Sequence, residues 1–197
     1  MKILFATSNT NKIIEASAIF APLGYVVEQL VVDGKTPKFI EPQTDNIEEI
    51  SESKMHQSLE IISETDIVDN YILVEDSGLF IRNIGGFPGV YSSYVEKKIG
   101  NEGIINILAD NPDRVAEYRA YSVLYRNGKY LKSLGICRGK ISTTIRGSNG
   151  FGFDPIFIPD GGDGRTFGEM SDLEKGVLSH RGESLRILSE ELISPSK

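Results

Sequence analysis

Apolar and polar positions alternate in a readable way along this chain, and the clearest stretch is Tyr71 to Leu79 (Tyr-Ile-Leu-Val-Glu-Asp-Ser-Gly-Leu). Ile72, Leu73 and Val74 form an unbroken apolar run, which predicts a strand buried on both faces. Glu75 and Asp76 follow at once. Burying a charge costs far more than burying an amide, so the strand is expected to end where something pairs with these carboxylates, at a Ser77-Gly78 turn. In an open α/β sheet the carboxyl ends of strands are where ligands sit. Side chains alternate along a strand, so only one of the two acids can face such a site, and Asp76, nearest the expected turn, is the candidate. A solvated loop acid is the plain alternative.

The remaining elements follow from the same reading. Lys2 to Thr7 is an apolar first strand. The cap-rich Ser8-Asn9-Thr10-Asn11 then opens a helix from Lys12 to Leu23, with Ile13, Ala16, Phe20 and Leu23 on one face. A strand, a polar turn and a helix N-terminus together make an anion site in principle, although a plain capped helix with a solvated lysine is the reading to prefer on this signal alone. Lys12 falls in the first turn, where the helix dipole disfavours a cation unless an anion is near.

Tyr25 to Val32 is a second strand, and residues 33–45, with Pro37 and Pro42 around Glu41, are irregular. A helix follows from Asn46 to Ser63. Ile47, Ile50, Met55, Ile61 and Ile62 share one side and Glu49, Glu52, His56 and Glu60 the other, which leaves His56 as solvated surface. Lys54 lies in the middle of the apolar side, where it either snorkels outward or projects an ammonium into an internal cleft. The acidic strand end favours the cleft.

Gly85-Gly-Phe-Pro-Gly89 is a turn leading to a helix from Val90 to Ile99, broken at Gly100 to Gly103 and resumed from Ile104 to Leu108. Arg114 to Arg126 and Lys129 to Cys137 are strands joined by Asn127-Gly128, a strong hairpin signal, and Gly139 to Thr144 is a further strand. Phe151-Gly-Phe-Asp154 sets two aromatics beside glycine, a composition that suits a flat ring ligand or an aromatic core strand. Ser171 starts another helix. Ser179-His180-Arg181 caps the last one, with Leu185, Leu188 and Leu192 on one side, and again places cations against a helix dipole.

Composition narrows the function classes. The 197 residues allow one domain or a tightly joined two-lobed one. A formal charge of −7 argues against a broad nucleic-acid-binding face, but leaves room for a small polyanion met by local cations. A single cysteine excludes an internal disulfide, and Cys137 is expected to be a small buried hydrophobe. Two histidines and one cysteine are too few for a closed zinc site. No apolar run reaches membrane-spanning length and no signal-peptide pattern opens the chain, so a cytoplasmic protein with no membrane partner is expected.

Several segments occur together in one order: Ser8-Asn-Thr-Asn-Lys12, Val74-Glu-Asp-Ser-Gly78, Gly85-Gly-Phe-Pro-Gly89, Phe151-Gly-Phe-Asp-Pro155, Phe167-Gly-Glu-Met170, Glu174-Lys175 and Ser179-His-Arg181. With them the chain resembles the inosine triphosphate pyrophosphatase family over nearly its full length. The resemblance implies an elongated α/β fold, a single two-lobed domain over residues 1–197, with a long mixed sheet and a deep cleft between lobes, as in the related Maf-type pyrophosphatases. It implies Mg²⁺-dependent hydrolysis of ITP, dITP and XTP to monophosphate and pyrophosphate, by a homodimer. Matched by position, Asn9, Lys12, Lys54 and Lys175 look like triphosphate ligands, and Glu41 and Asp76 look like metal-linked carboxylates, with Asp76 also the base. Phe151, Phe153, Asp154, His180 and Arg181 look like the base pocket, and Thr7, Ser8, Ser77 and Gly152 complete the implied substrate set. Where many members carry a lysine soon after the Gly-Phe-Pro-Gly turn, this chain has Ser92-Ser93.

Overall fold

The computed structural model describes residues 1–63, 65 and 69–193. In chain order the elements are β1 (Lys2–Phe5), α1 (Thr10–Phe20), β2 (Val26–Gln29), α2 (Ile47–Ile62), β3 (Tyr71–Ile81), β4 (Pro88–Gly89), α3 (Ser92–Leu108), β5 (Val115–Arg126), β6 (Lys129–Ile141), β7 (Phe157–Pro159), α4 (Asp172–Leu178) and α5 (His180–Ile193). Among the described residues seven strands form one sheet in the order β2-β1-β3-β5-β6-β7, with β4 on β3. β1 runs parallel to β2 and to β3, with Leu4 opposite Ile72, whereas β3–β4 and β6–β7 are antiparallel. The sheet is therefore mixed, as expected. No helix among the described residues is long and apolar enough to cross a membrane.

Two compact units divide the chain. The first comprises Met1–Asp76, Ala120–Leu134 and Ser184–Lys197, and the second Ser77–Arg119 and Gly135–Glu183. Within the first, Ile3 and Phe5 of β1 pack with Ala16 and Phe20 of α1, Leu73 of β3 and Leu185 and Leu188 of α5. Each fully buried phenyl or branched side chain there contributes roughly 1.5–3 kcal/mol. The second unit has its own core of Leu79, Val95, Ile104, Tyr118, Phe153, Phe157 and Phe167, and Cys137 is buried in it as expected.

Several boundaries depart from the sequence reading. α1 begins at Thr10, because the Asn9 side chain accepts from the Asn11 N–H and so caps the helix two residues earlier. Leu23 falls in a following 3₁₀ turn and Ile61 is on the solvent side of α2. β6 is a single strand through Ile141, not two, since a Gly139 Cβ would collide with the Ile158 carbonyl oxygen of β7 and glycine allows the close approach.

β3 is the largest departure. It does not end at Glu75-Asp76 but continues to Ile81, so Ser77-Gly78 is extended strand and not a turn. Gly78 serves the pairing with β4: a Cβ at that position would overlap the Gly89 carbonyl oxygen. The hairpin at Asn127-Gly128 is as expected, with φ of 49° and 81° supplying the left-handed turn. The break in α3 also stands where the glycines predict it, at Gly100, with φ 63° and ψ −167°.

Candidate active site

β3 carries both acids, and each has its own lysine. Alternation along the strand sends Glu75 and Asp76 to opposite faces. Glu75, with no solvent exposure, takes Lys12 of α1: Lys12 Nζ lies 3.1 Å from Glu75 Oε2 and donates to the Glu75 carbonyl at 3.2 Å. The anion that makes a cation tolerable in the first turn of α1 is thus this buried carboxylate. Asp76 takes Lys54 of α2 at 2.9 Å. Lys54 also meets Glu41 at 2.7 Å, so its ammonium ties two carboxylates to one point. The inward projection expected for Lys54 is what the first unit shows: the side chain is 12% exposed.

Smaller contacts hold this cluster. Ser51 Oγ accepts from the Asp76 N–H at 3.1 Å and donates to the Tyr121 carbonyl at 3.0 Å, fixing β3 to α2 and β5. Gln57, one turn beyond Lys54, accepts from the Ile40 N–H and donates to the Ile40 carbonyl, both at 2.8 Å. It pins the irregular segment immediately before Glu41. Thr7 and Ser8 form the turn from β1 to α1, where Thr7 Oγ1 accepts from the Asn9 N–H at 3.1 Å. His56 is exposed surface, as expected.

The electrostatics follow from burial. Burial raises the Asp76 carboxyl above the ordinary aspartate range and outweighs Lys54 and Lys12, which pull it down; Glu75 adds to the rise. Burial works against the Lys54 charge, but Asp76 and Glu41 together outweigh it and hold its pKa above the ordinary lysine value.

The second unit gathers the other group. Asp154 Oδ2 accepts from the Phe151 N–H and from Lys175 Nζ, both at 2.7 Å. Lys175 Nζ stands 4.5 Å and Arg181 Cζ 5.5 Å from the Phe151 ring centroid. Arg181 Nη2 donates to Ser77 Oγ at 2.9 Å, and Asn101 Nδ2 donates to the Gly152 carbonyl at 3.1 Å. His180 lies flat on Tyr118, with ring centroids 4.5 Å apart and planes at 6°. Lys175, His180 and Arg181 are all buried, as are Phe153 and Asp154.

α4, which presents Lys175, is fixed by a capping box in which Ser171 and Glu174 exchange hydrogen bonds. Arg165 and the Ser171 backbone lower the Glu174 carboxyl to about 2. Ser92 is buried: it donates to the Gly89 carbonyl at 2.6 Å and accepts from the Leu79 N–H at 2.8 Å. Ser93 is exposed.

Thus Lys12, Lys54, Glu41 and Asp76 come together in the first unit, and Phe151, Phe153, Asp154, Lys175, His180 and Arg181 in the second. Lys175 belongs with Asp154 and Phe151 there. Glu75, Ser51, Gln57, Asn101 and Tyr118 were not among the residues expected from sequence. Glu75 could have been found, since a strand that runs on must send one acid to each face.

A sequence model of the Ham1 family matches residues 3–191. The chain belongs to the Ham1 family. Its relatives include the dITP/XTP pyrophosphatase of Thermococcus kodakarensis, 44% identical over 186 residues that cover 94% of this chain and 94% of that protein. The dITP/XTP pyrophosphatase of Pyrococcus horikoshii is 39% identical over 190 residues, 96% of each chain. Among solved structures, a HAM1 protein from Coxiella burnetii superposes with a TM-score of 0.82 at 28% identity over 98% of each chain. The mixed α/β sheet described above is therefore a Ham1 fold.

Proposed function

We propose that this chain is a nucleoside-triphosphate pyrophosphatase that hydrolyses ITP, dITP and XTP to the monophosphate and pyrophosphate, removing non-standard purines from the nucleotide pool. The observation that carries this reading is Lys54 held between Glu41 and Asp76, in a chain 44% identical to a dITP/XTP pyrophosphatase.

The residues of the first unit take the triphosphate. Lys12 and Lys54 are its cations, the Asn9 amide nitrogen is a donor, and the N–H groups that open α1 attract a phosphate. Glu41 and Asp76 offer hard oxygen donors that Lys54 brings to one point, a donor set that fits Mg²⁺. Among the described residues no three His, Cys, Asp or Glu side chains gather into a metal-holding group; one or two carboxylates with phosphate oxygens are the arrangement Mg²⁺ ordinarily takes. Glu41 and Asp76 would hold the ion, which when bound offsets phosphate charge and makes water more acidic.

Asp76 then accepts a proton from the water that attacks the α-phosphorus, and its raised pKa makes it a better base than an ordinary aspartate. The α–β anhydride bond breaks and pyrophosphate leaves. Positioning and electrostatics supply most of the rate, because phosphoryl-type transfer asks little covalent chemistry of the protein.

The residues of the second unit take the purine. Arg181 and His180 donate to the 6-keto oxygen of hypoxanthine or xanthine, a bond that adenine's amino group cannot accept. A site built on a required hydrogen bond rejects the analogue lacking it by roughly 10⁴ to 10⁵. Phe151 supplies an aromatic face. Lys175, ion-paired with Asp154, fixes this loop, and its pairing supports a role on the purine side in place of the triphosphate role the family pattern implies.

A cytoplasmic homodimer completes the reading. Phe87, Tyr91 and Tyr94, exposed around the start of α3, are the apolar side chains that support self-association. Incubation with Mg²⁺ and ITP, XTP, GTP or ATP separately tests the function. Pyrophosphate from ITP and XTP with little from GTP and ATP is expected; ITP binding without turnover would replace the enzyme with a nucleotide sensor.

A further inference from the structure

Tyr118, on β5, is a buried side chain that neither the sequence pattern nor the family pattern marks. Its ring lies parallel to His180 at 4.5 Å. The Phe153 backbone N–H interacts with its hydroxyl oxygen. Phe157 meets the same ring edge-on at 4.8 Å and Phe167 at 6.3 Å and 28°, so the tyrosine is itself held from other sides. Every one of these residues belongs to the second unit. One side chain thereby controls two of the groups assigned to the purine: the ring plane of His180 and the backbone of the Phe151–Phe153 loop.

We propose that Tyr118 is a positioning residue for purine recognition, its ring setting the plane of the His180 imidazole and its hydroxyl holding the Phe151–Phe153 loop. This rests on the reading that His180 and Phe151 meet the base. The physical reason lies in the softness of the histidine: rotation about its second side-chain torsion is broad, and a flat neighbour narrows the ring to one plane. A hydrogen bond weakens steeply as its angle closes, so a tilted imidazole loses the keto contact that separates hypoxanthine from adenine. The loop contact acts differently. Gly150 and Gly152 sit at φ of 72° and 64°, leaving the loop few intrinsic constraints, and the Tyr118 hydroxyl is one of its anchors beside Asn101 and Asp154. Burial and the Asp154 charge push the phenol well above its ordinary value, which keeps the hydroxyl protonated throughout the working range.

Two variants separate the roles. Tyr118→Phe keeps the stack and deletes the hydroxyl; Tyr118→Leu deletes both. With Tyr118→Phe, KM for ITP rises roughly three- to tenfold, kcat stays within about twofold, and the ITP-over-ATP preference is kept. With Tyr118→Leu that preference falls roughly tenfold or more. Inhibition by added pyrophosphate stays within about twofold in both, because the phosphate side is untouched. An unchanged preference in Tyr118→Leu overturns the proposal, as does a parallel loss of ITP turnover, ATP turnover and pyrophosphate inhibition, the mark of mere packing damage. Should Tyr118→Leu fail to fold, KM in Tyr118→Phe decides: raised supports, unchanged overturns. Arg181→Ala, run alongside, separates the two levels. If it erodes the preference and Tyr118→Leu does not, Tyr118 alone is misassigned; if neither does, the purine assignment of the second unit fails with it.

Discussion

Lys12 Nζ lies 3.1 Å from Glu75 Oε2, and the glutamate side chain it pairs with has no exposure to solvent. The pair joins the first turn of α1 to the middle of β3, and it leaves Asp76, the next residue, to face Lys54 on the other side of the strand. Two adjacent acids thus face two different lysines: Glu75 anchors Lys12, and Asp76, the proposed base, meets Lys54.

Lys12→Met removes one member of a buried pair. Losing one partner of such a pair costs about 3–5 kcal/mol, because the other charge stays buried. Urea unfolding of Lys12→Met is expected to show a loss in that range, and the double variant Lys12→Met/Glu75→Gln to recover part of it. A single-variant loss below about 1 kcal/mol would remove the pair as a structural anchor.

Burial holds the Asp76 carboxyl above the ordinary aspartate value in the folded protein. Its folded pKa is raised, so its contribution to stability is fully present below the unfolded value and is lost as pH rises through the folded one. The stability of Asp76→Asn relative to the parent therefore increases with pH across that window, while kcat falls by roughly 10² to 10⁴. Lys54→Met, which removes an attractive charge, raises the Asp76 pKa further. Carboxyl NMR titration reads both shifts, and a midpoint at or below the ordinary aspartate value in the parent would contradict the burial argument.

Arg181→Ala is expected to lower the ratio of kcat/KM for ITP over that for ATP by roughly tenfold or more, because the proposed donor to the 6-keto group is gone. Equal losses for both substrates in steady-state kinetics would take the purine keto contact away from Arg181.

Gly100→Ala tests the break in α3. Nothing lies within 4 Å of a Cβ there, so the whole cost is backbone strain at φ 63° and ψ −167°. That region is essentially confined to glycine, and the expected loss is of order 1–3 kcal/mol by chemical denaturation. No loss would mean that the helix straightens through the substitution.

Much of this was readable in the chain. The Asn127-Gly128 hairpin, the Gly100 break and the inward turn of Lys54 all follow from local chemistry, because each is decided within a few residues. β3 was misread for the same reason: Ser77-Gly78 looks like a turn locally, and the carbonyl of Gly89 that requires Gly78 lies eleven positions on. The contacts of Gln57 with Ile40, of Tyr118 with His180 and of Lys175 with Asp154 are long-range, and no periodicity announces them. The family pattern placed Lys175 by sequence position, whereas its buried carboxylate partner is visible only in three dimensions.

Hydrolysis of ITP in ¹⁸O-labelled water tests the central claim most directly. Attack by water at the α-phosphorus, with Asp76 as its base, puts the label in IMP and leaves pyrophosphate unlabelled. Label in pyrophosphate, or release of labelled orthophosphate in its place, would contradict the account.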